Sequence, residues 1–206
     1  DLQDGSTLCT IGMTLVSASE SILKAIEKRF ETVGHPADIT LVHSCGQSDR
    51  KDGIQHLAHE GLVKRIVGSH WGLQPRWMEM IANSQVEAYC LPQGQITQLY
   101  RSMACGLPGK MSKVGLGTFI DPRVEGGKMN DRTKPLPDIV DILEYGGEEY
   151  MFYKEIPLDT VLIRGTVCDE MGNLTTTEEA MKLEVLPAVL AAKRYGGRVI
   201  ARSEEH

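Results

Sequence analysis

The sequence predicts an α/β fold: a three-layer sandwich with a mostly parallel sheet flanked by helices and an antiparallel hairpin insertion. Short apolar runs rich in β-branched residues alternate along the chain with segments whose apolar residues recur at helical spacing. Glycine or proline separates most of these segments. Near residue 146, a Gly-Gly pair lies between two short apolar runs and indicates the hairpin.

These patterns place the elements in chain order. Strands of the main sheet are predicted at residues 7–11, 39–43, 62–67, 86–91, 160–166 and 198–201, and the hairpin arms at 139–143 and 150–153. A capping-box spacing from Ser17 to Glu20 predicts the start of the first helix. Further helices are predicted from Pro75, over residues 96–103 and over residues 180–192, with Pro187 in the first turn or at a kink.

Composition limits the function classes. The 206 residues suffice for one sizeable core, so a single domain, 1–206, is expected. A net charge of −6 without a block of lysine or arginine argues against a nucleic-acid or anionic-membrane surface. No apolar run approaches the roughly 20 residues that span a bilayer, and no signal peptide is recognised. Five cysteines without CxxC spacing indicate reduced thiols and a cytoplasmic location.

Residues 91–130 are the most informative stretch. The segment from Leu91 to Gly94 predicts a tight turn before a helix, and residues 106–109 predict the stop of that helix. In the segment 115–118, two glycines beside a threonine are expected to leave bare backbone N–H groups. Such a loop suits an oxygen-rich ligand, because no Cβ blocks close approach to the backbone. A second flexible, glycine-containing segment covers residues 125–130.

The order of motifs in this stretch resembles that of the family I coenzyme A transferases, in particular the acetate/propionate and 3-oxoacid branch. The resemblance covers nearly the whole chain and is carried by Pro92-Gln93-Gly94, Arg101, Gly106, Pro108, Gly115-Leu116-Gly117-Thr118 and Gly126-Gly127-Lys128-Met129-Asn130. Together with Asp121-Pro122-Arg123, the last motif is more typical of the single-chain members than of the two-subunit ones.

The resemblance implies transfer of CoA between short-chain or 3-oxo carboxylic acids through a glutamyl-CoA intermediate. In relatives the nucleophilic glutamate lies in the C-terminal half, in a Glu-Xaa-Gly setting. Here Glu60-Gly61 and Glu125-Gly126 belong to first-half motifs, so no catalytic residue is expected in this chain. The resemblance thus implies an α-type half, either a fragment or one subunit, whose partner is a C-terminal β-type half. CoA and small carboxylates are the implied substrates, no cofactor is tightly bound, and a homo-oligomer is expected.

Candidate site residues follow strand ends, where ligands bind in open α/β sheets. Gly46, Gln47 and Gln93 are expected to line the acyl pocket together with the glycine loop, which consists of Gly115, Leu116, Gly117 and Thr118. Lys128 and Asn130 are expected at its rim, where Lys128 either pairs with a substrate carboxylate or is solvated. The loop after the first strand is expected to contact CoA through Gly12, Met13 and Thr14. We predict that the loops at Gly46, Gln93 and Gly117 share one cleft.

Other chemistry is less well supported. His43 and Cys45 suggest a Cys–His nucleophile, but residues two apart on a strand need not meet. His56 and His59 occur as H-x-x-H-E, which matches neither zincin order, so solvated histidines on an exposed helix and no metal are predicted. Two alternative functions remain: a sugar-phosphate isomerase-like phosphate binder using residues 115–118, and a non-catalytic CoA-binding or regulatory half.

Overall fold

A computed structural model describes residues 2–205 of the chain. The strands, in chain order, are β1 (Thr7–Thr10), β2 (Ile39–His43), β3 (Val63–Gly68), β4 (Glu87–Cys90), β5 (Gly109–Ser112), β6 (Val140–Tyr145), β7 (Glu148–Lys154), β8 (Thr160–Cys168) and β9 (Arg198–Glu205). The helices are α1 (Glu20–Val33), α2 (Pro75–Ala82), α3 (Gln93–Ala104) and α4 (Val185–Arg194), with a short 3₁₀ helix at Gly53–Leu57.

Six strands form a parallel sheet in the order β4-β3-β2-β1-β8-β9. Both faces of a parallel sheet are covered by its crossover helices, which explains why its strands read as nearly continuous apolar runs. Because the strands are parallel, their carboxyl ends all lie at one edge of the sheet. The loops that leave those ends therefore come close together in space.

The core has two halves, one on each face of this sheet. Successive strand residues point to opposite faces, so Leu8 of β1 packs among residues of α1 and α2, whereas its neighbour Cys9 packs among residues of α3 and α4. Leu41 and Val42 of β2 divide in the same way. The predicted three-layer sandwich is confirmed.

The antiparallel insertion is larger than predicted. β6 and β7 form the expected hairpin around the Gly-Gly turn, and β5 adds a third strand in the order β5-β7-β6. The sequence of β5, Gly-Lys-Met-Ser, has no apolar alternation, so it was not predicted as a strand. A Cβ at Gly109 would lie 2.3 Å from the carbonyl oxygen of Tyr153. Glycine is therefore required where β5 approaches β7.

Two predicted local motifs are wrong. Helix α1 begins at Glu20, and no side chain caps it. Glu20 instead accepts a hydrogen bond from the backbone of Gly53 (2.8 Å), and Ser17 donates to the carbonyl of Met181 (2.9 Å). The tight turn after Leu91 is also absent, because residues 93 and 94 already form the first turn of α3. At the start of α1, tertiary contacts use the residues that suggested a capping box. After Leu91, helix α3 itself includes the residues that suggested a turn.

Helix α4 starts later than the periodicity predicts, at Val185, which places Pro187 in its first turn as expected. Within residues 2–205, no helix combines the length and the apolar character needed to cross a bilayer.

Candidate functional site

Hydrogen bonds join the loops that follow β1 and β2 at the carboxyl edge of the sheet. The backbone N–H of Thr14 donates to the carbonyl of Gly46 (2.8 Å). The Gln47 amide donates to the carbonyl of Thr10 (2.8 Å). The loop expected to contact CoA and the loop expected to line the acyl pocket are therefore neighbours.

Gly46 is buried where the β2 loop meets the β3 loop. A Cβ at this position would lie 2.8 Å from His70 Nδ1 and 2.9 Å from Gln74 Nε2. Only glycine fits this contact without displacing a neighbour. Gln74 is fully buried and cannot move away easily, whereas His70 is exposed and can adjust.

Unpaired polar atoms are concentrated at the same edge. Among the described side chains, eight buried nitrogen or oxygen atoms have no hydrogen-bond partner within the protein, and all eight follow β1, β2, β3 or β4 or end those strands. A buried polar atom without a partner costs free energy, so native proteins keep few of them unless a ligand or ordered water completes the bonding. This concentration indicates a binding site. The atoms are Thr10 Oγ1, Ser19 Oγ, His43 Nε2, Gln47 Oε1, Trp71 Nε1, Gln74 Oε1, Gln74 Nε2 and Gln95 Oε1.

His43 supports the β2 loop. Its ring is fully buried, packs edge-on against Trp71 (5.9 Å between centroids), and donates from Nδ1 to the carbonyl of Cys45 (2.8 Å). Burial lowers the pKa of His43 to about 4, so the imidazole is neutral at neutral pH. Burial also raises the pKa of the Cys45 thiol. Because the ring contacts the Cys45 carbonyl and not the thiol, the Cys–His nucleophile hypothesis is wrong.

Sequence reasoning missed Glu184. This carboxyl is 5% exposed, immediately precedes α4, and accepts a hydrogen bond from the Ser44 hydroxyl. The Ser69 hydroxyl donates in turn to the carbonyl of Ser44. Burial raises the pKa of Glu184. The segment that precedes α4 thus reaches back across the carboxyl ends of β1 and β2, which no local pattern indicates.

The glycine loop differs from expectation in its hydrogen bonding. The N–H of Gly117 donates to Asp121 Oδ2 (2.9 Å), and the N–H of Thr118 donates to the carbonyl of Gly115 (3.1 Å). The expectation of bare N–H groups is therefore wrong for these two residues. Asp121 is buried, and its hydrogen bonds with Arg123 hold its pKa well below the usual range. The Gly117 N–H is therefore held by a carboxylate that is itself ion-paired with Arg123.

Backbone contacts connect the glycine loop to the end of β4. The N–H of Gly127 donates to the carbonyl of Phe119 (2.9 Å), and the N–H of Cys90 donates to the carbonyl of Gly127 (2.7 Å). Gln93 lies just beyond β4, exposed in the first turn of α3. Gly117 and Thr118 are also exposed. A cleft shared with Gly46, which lies at the end of β2, stays a prediction.

Lys128 and Asn130 are both engaged within the protein. Lys128, whose side chain is 11% exposed, forms an ion pair with Asp138 (2.9 Å). The Asn130 amide is buried and donates to the carbonyls of Ile81 and Val86, each at 2.9 Å. These contacts fasten the segment that follows the glycine loop onto the edge of the sheet. Any role of Lys128 at the pocket rim would require it to leave Asp138.

The histidines expected to be solvated are instead paired with carboxylates of α1. His56, whose side chain is 12% exposed, contacts Glu27 and Glu20, and His59 contacts Glu27 (2.9 Å). Two groups bring their potential ligand atoms close enough for a metal ion. The Lys24 ammonium already pairs with members of the first group, at 3.1 and 3.2 Å. The contacts of Lys24, His56 and His59 with these carboxylates form an ion-pair network on α1. The two groups are Glu20, Asp52 and His56, and Glu27, Glu31 and His59.

The chain is similar to known proteins over nearly its whole length. The profile of the family described as coenzyme A transferase matches residues 1–199. The chain is 41% identical over 204 residues to the caffeate CoA-transferase of Acetobacterium woodii, covering 98% of this chain and 38% of that protein. It is 36% identical over 206 residues to the acetate CoA-transferase YdiF of Escherichia coli, covering 99% of this chain and 38% of that protein.

A solved structure is similar over the same length. The acyl-CoA transferase YdiF of Escherichia coli, in a structure described as a thioester complex with CoA, superposes with a TM-score of 0.95 at 34% identity. The match covers 99% of this chain and 40% of that chain. The present chain therefore spans about two fifths of the length of these relatives.

Proposed function

Since this chain belongs to the coenzyme A transferase family, we propose that it forms one wall of an acyl site at which CoA moves between carboxylic acids. The nucleophilic glutamate lies outside this chain, on a C-terminal β-type half, and CoA is a co-substrate. Homo-oligomeric assembly and a cytoplasmic location are parts of the same proposal. The solved structure of a relative, described as a thioester complex with CoA, supports the part of the proposal that makes CoA a co-substrate.

The observation that carries the proposal is the group of unpaired polar atoms at the carboxyl edge. Trp71 Nε1 and Gln74 Nε2 are hydrogen-bond donors of the kind that a carboxylate or thioester oxygen accepts. They lie on the loop that packs against Gly46. The proposed acyl wall consists of Gly46, Gln47, Gln93 and the glycine loop, and the proposed CoA-contacting loop consists of Gly12, Met13 and Thr14.

The proposed chemistry explains what a chain without the nucleophile contributes to the site. A carboxylate attacks a thioester carbon poorly, so binding energy from the non-reacting parts of CoA must be spent at the reacting carbon. In the proposed sequence the glutamate carboxylate attacks the acyl-CoA, and an anhydride forms as the CoA thiolate leaves. The thiolate then attacks the glutamyl carbonyl and releases the first acid. This chain would hold the acyl group and exclude water, which would otherwise hydrolyse the anhydride.

The phosphate-binding alternative finds no support at the glycine loop. The Gly117 N–H already donates to Asp121 and is not free to bind a phosphate. The second alternative, a regulatory half without catalysis, is tested by the experiment described next for the transferase.

The test compares the chain alone with the chain plus its C-terminal half, each incubated with acetyl-CoA and analysed by intact mass spectrometry. We expect no CoA adduct on this chain, because removal of a covalent nucleophile leaves only positioning and electrostatics. With both halves, the adduct should appear on the C-terminal half together with turnover. An adduct that maps to Glu60 or Glu125 would place the nucleophile in this chain and contradict the proposal.

A second measurement tests the wall itself. In the two-half enzyme, Gln93→Ala should lower kcat/KM about tenfold or more, as expected for a lost polar contact that positions the acyl group. Gln98→Ala provides the matched control, because Gln98 is an exposed glutamine of the same helix. Equal kinetics for the two variants would remove Gln93 from the site.

A further inference from the structure

An open groove runs beside helix α4 at one end of the sheet. Its volume is about 880 Å³, and its walls come from α4, from β9 and from the segment that follows β8. Most of the residues that line it are apolar, with Leu174, Val189 and Val199 among them. A large exposed apolar surface of this kind marks an interaction site.

Helix α4 is apolar on two opposite sides. Its alanines Ala188, Ala191 and Ala192 are buried in the core. On the outer side, Leu186 is 66% exposed, and Leu190, one turn later, is 49% exposed. A helix that is apolar all round is normally buried all round. The outer side of α4 is therefore expected to be covered.

Strand β9 adds an open sheet edge to this groove. It pairs with β8 along one side and is the outermost of the six strands, so among residues 2–205 no strand pairs with its other side. Val199 packs towards α4, and its neighbour Ile200 lines a smaller apolar cavity of about 190 Å³ beside α1. Native proteins cover a long edge strand or make its pairing unfavourable. The apolar residues on both faces of β9 favour coverage.

The groove carries positive charge. Lys182 and Lys193 line it, and none of the described acidic residues does. Within the described part of the chain neither lysine has an ion-pair partner, unlike Lys113, which pairs with Glu148 (2.6 Å). The chain as a whole has a net charge of −6. An occupant of the groove is therefore expected to bring apolar side chains, with acidic ones opposite the two lysines.

The groove opens beside the proposed acyl wall. Leu183 and Val185 line it. Between them, Glu184 accepts a hydrogen bond from Ser44, the first residue of the loop that contains Gly46. The segment that follows β8 leaves the same carboxyl edge of the sheet, because β8 is parallel to β1. A body seated in the groove would therefore lie next to the acyl wall.

From these features we propose that the groove, the outer side of α4 and the free side of β9 form one docking surface, on which the C-terminal half sits. The inference rests on the proposed function and adds the place where the two halves meet. The relatives are more than twice as long as this chain, which covers 38% of each, so the proposed half is large enough to bury such a surface. That half must also bring its glutamate to the acyl wall, which a body seated beside Leu183 can do. A second copy of this chain would cover the apolar surface but would bring no nucleophile.

The complete enzyme, with both halves, tests the docking surface without relying on turnover. We expect Leu186→Cys to react with a maleimide at least about tenfold more slowly than Val33→Cys, because a covered thiol is inaccessible. Val33 is the matched control, since it is 58% exposed and lies on α1, on the opposite face of the sheet. Peptide mass mapping separates both positions from the five native cysteines. A thiol near the start of a helix is more readily ionised, so slow reaction at position 186 reports coverage and not a raised pKa.

Photo-crosslinking identifies the occupant. A benzoylphenylalanine in place of Leu186 or, in a second variant, of Leu190 should crosslink to the C-terminal half. Crosslinks only to a second copy of this chain, no crosslink at all, or equal maleimide rates for the two cysteine variants would overturn the inference. Transfer of CoA by that enzyme would leave the proposed function standing. Protection and crosslinking in an enzyme that transfers no CoA would overturn the proposed function and leave the docking surface standing.

Discussion

We predict that Gly68, the last residue of β3, does not tolerate a larger residue, because the buried ring of His43 lies against it. A Cβ at this position would lie 2.3 Å from His43 Nε2 and 2.4 Å from His43 Cε1. Favourable contacts between heavy atoms begin near 3.5 Å, so Gly68→Ala creates an overlap of about 1 Å. The ring cannot move away easily, because it is fully buried, packs against Trp71 and is hydrogen-bonded to Cys45.

The magnitude follows from this clash. Overpacking a well-packed interior costs about 1–3 kcal/mol, and we expect Gly68→Ala to lower the free energy of unfolding by about 3 kcal/mol because the obstacle is rigid. Truncating the ring in Gly68→Ala/His43→Ala removes the overlap. The two substitutions should therefore couple by about 2 kcal/mol in a double-mutant cycle. Gly94→Ala is the control: its Cβ would meet no atom within 4 Å, and alanine should stabilise α3 by about 0.5–1 kcal/mol.

Urea denaturation of the four proteins of the cycle measures the coupling. Additive losses, within about 0.5 kcal/mol, would show that the His43 ring is not the obstacle and would refute the reasoning. The same variants report on the site. Displacement of His43 frees the carbonyl of Cys45, so transferase activity of the complete enzyme should fall in Gly68→Ala and stay unchanged in Gly94→Ala.

Three further predictions address the site and the ion-pair network. Gly117→Val and Gly5→Val should each lose about 1–2 kcal/mol of unfolding free energy, since both glycines have positive φ (69° and 70°) and open space around the Cβ; only Gly117→Val should also lower turnover, and equal kinetic losses would make Gly117 merely structural. Gln74→Met should raise the unfolding free energy by about 1 kcal/mol while lowering kcat/KM, because it removes an unpaired buried amide; a loss of both stability and activity would contradict this. Burial lowers the pKa of His56, but hydrogen bonds to Glu27 and Glu20 raise it by more. The contribution of His56 to the unfolding free energy is therefore complete below the unfolded pKa of about 6.5 and is lost as pH rises through the higher folded pKa. The difference in unfolding free energy between wild type and His56→Gln, measured by urea denaturation, should be largest near pH 6 and shrink towards pH 9. A difference that grows with pH would contradict the pairing.

The layer architecture could be predicted because each central strand carries its own signal. The strand Ile39–His43 was predicted with its observed bounds, and an apolar run of this kind is needed wherever both faces of a strand are buried. The strand β5 could not be predicted, because its four residues are held by pairing with β7 and not by their own pattern. Register and pairing of short edge segments depend on distant residues, so local propensity is silent about them.

The site divides in the same way. The position of Gly46 and Gln47 after a strand could be predicted, because the end of a parallel strand is marked in the sequence. Their role in binding stays a prediction. The use made of each side chain was not identifiable. Glu184 reaches Ser44 from 140 positions away, and His56 reaches Glu27 from 29 positions away. Such partners are chosen by the fold, so a sequence pattern reports the groups available and not the contacts they make.

The distribution of unpaired polar atoms separates the parts of this molecule that are built for stability from those built for binding. Asn130 is buried, and its amide and carbonyl groups are all engaged with the backbone and with Thr133. Gln74 is equally buried, yet neither its nitrogen nor its oxygen has a partner within the protein. An unsatisfied buried group costs about 1–3 kcal/mol, so several such groups at one edge are a substantial fraction of the net stability of a domain. A fold that satisfies every polar group of Asn130 could satisfy Gln74 as well, or an apolar residue could replace Gln74. Among the described side chains, this cost is retained at the carboxyl edge, which is the pattern expected where ligand groups complete the hydrogen bonds. For this reason we propose the acyl site at that edge.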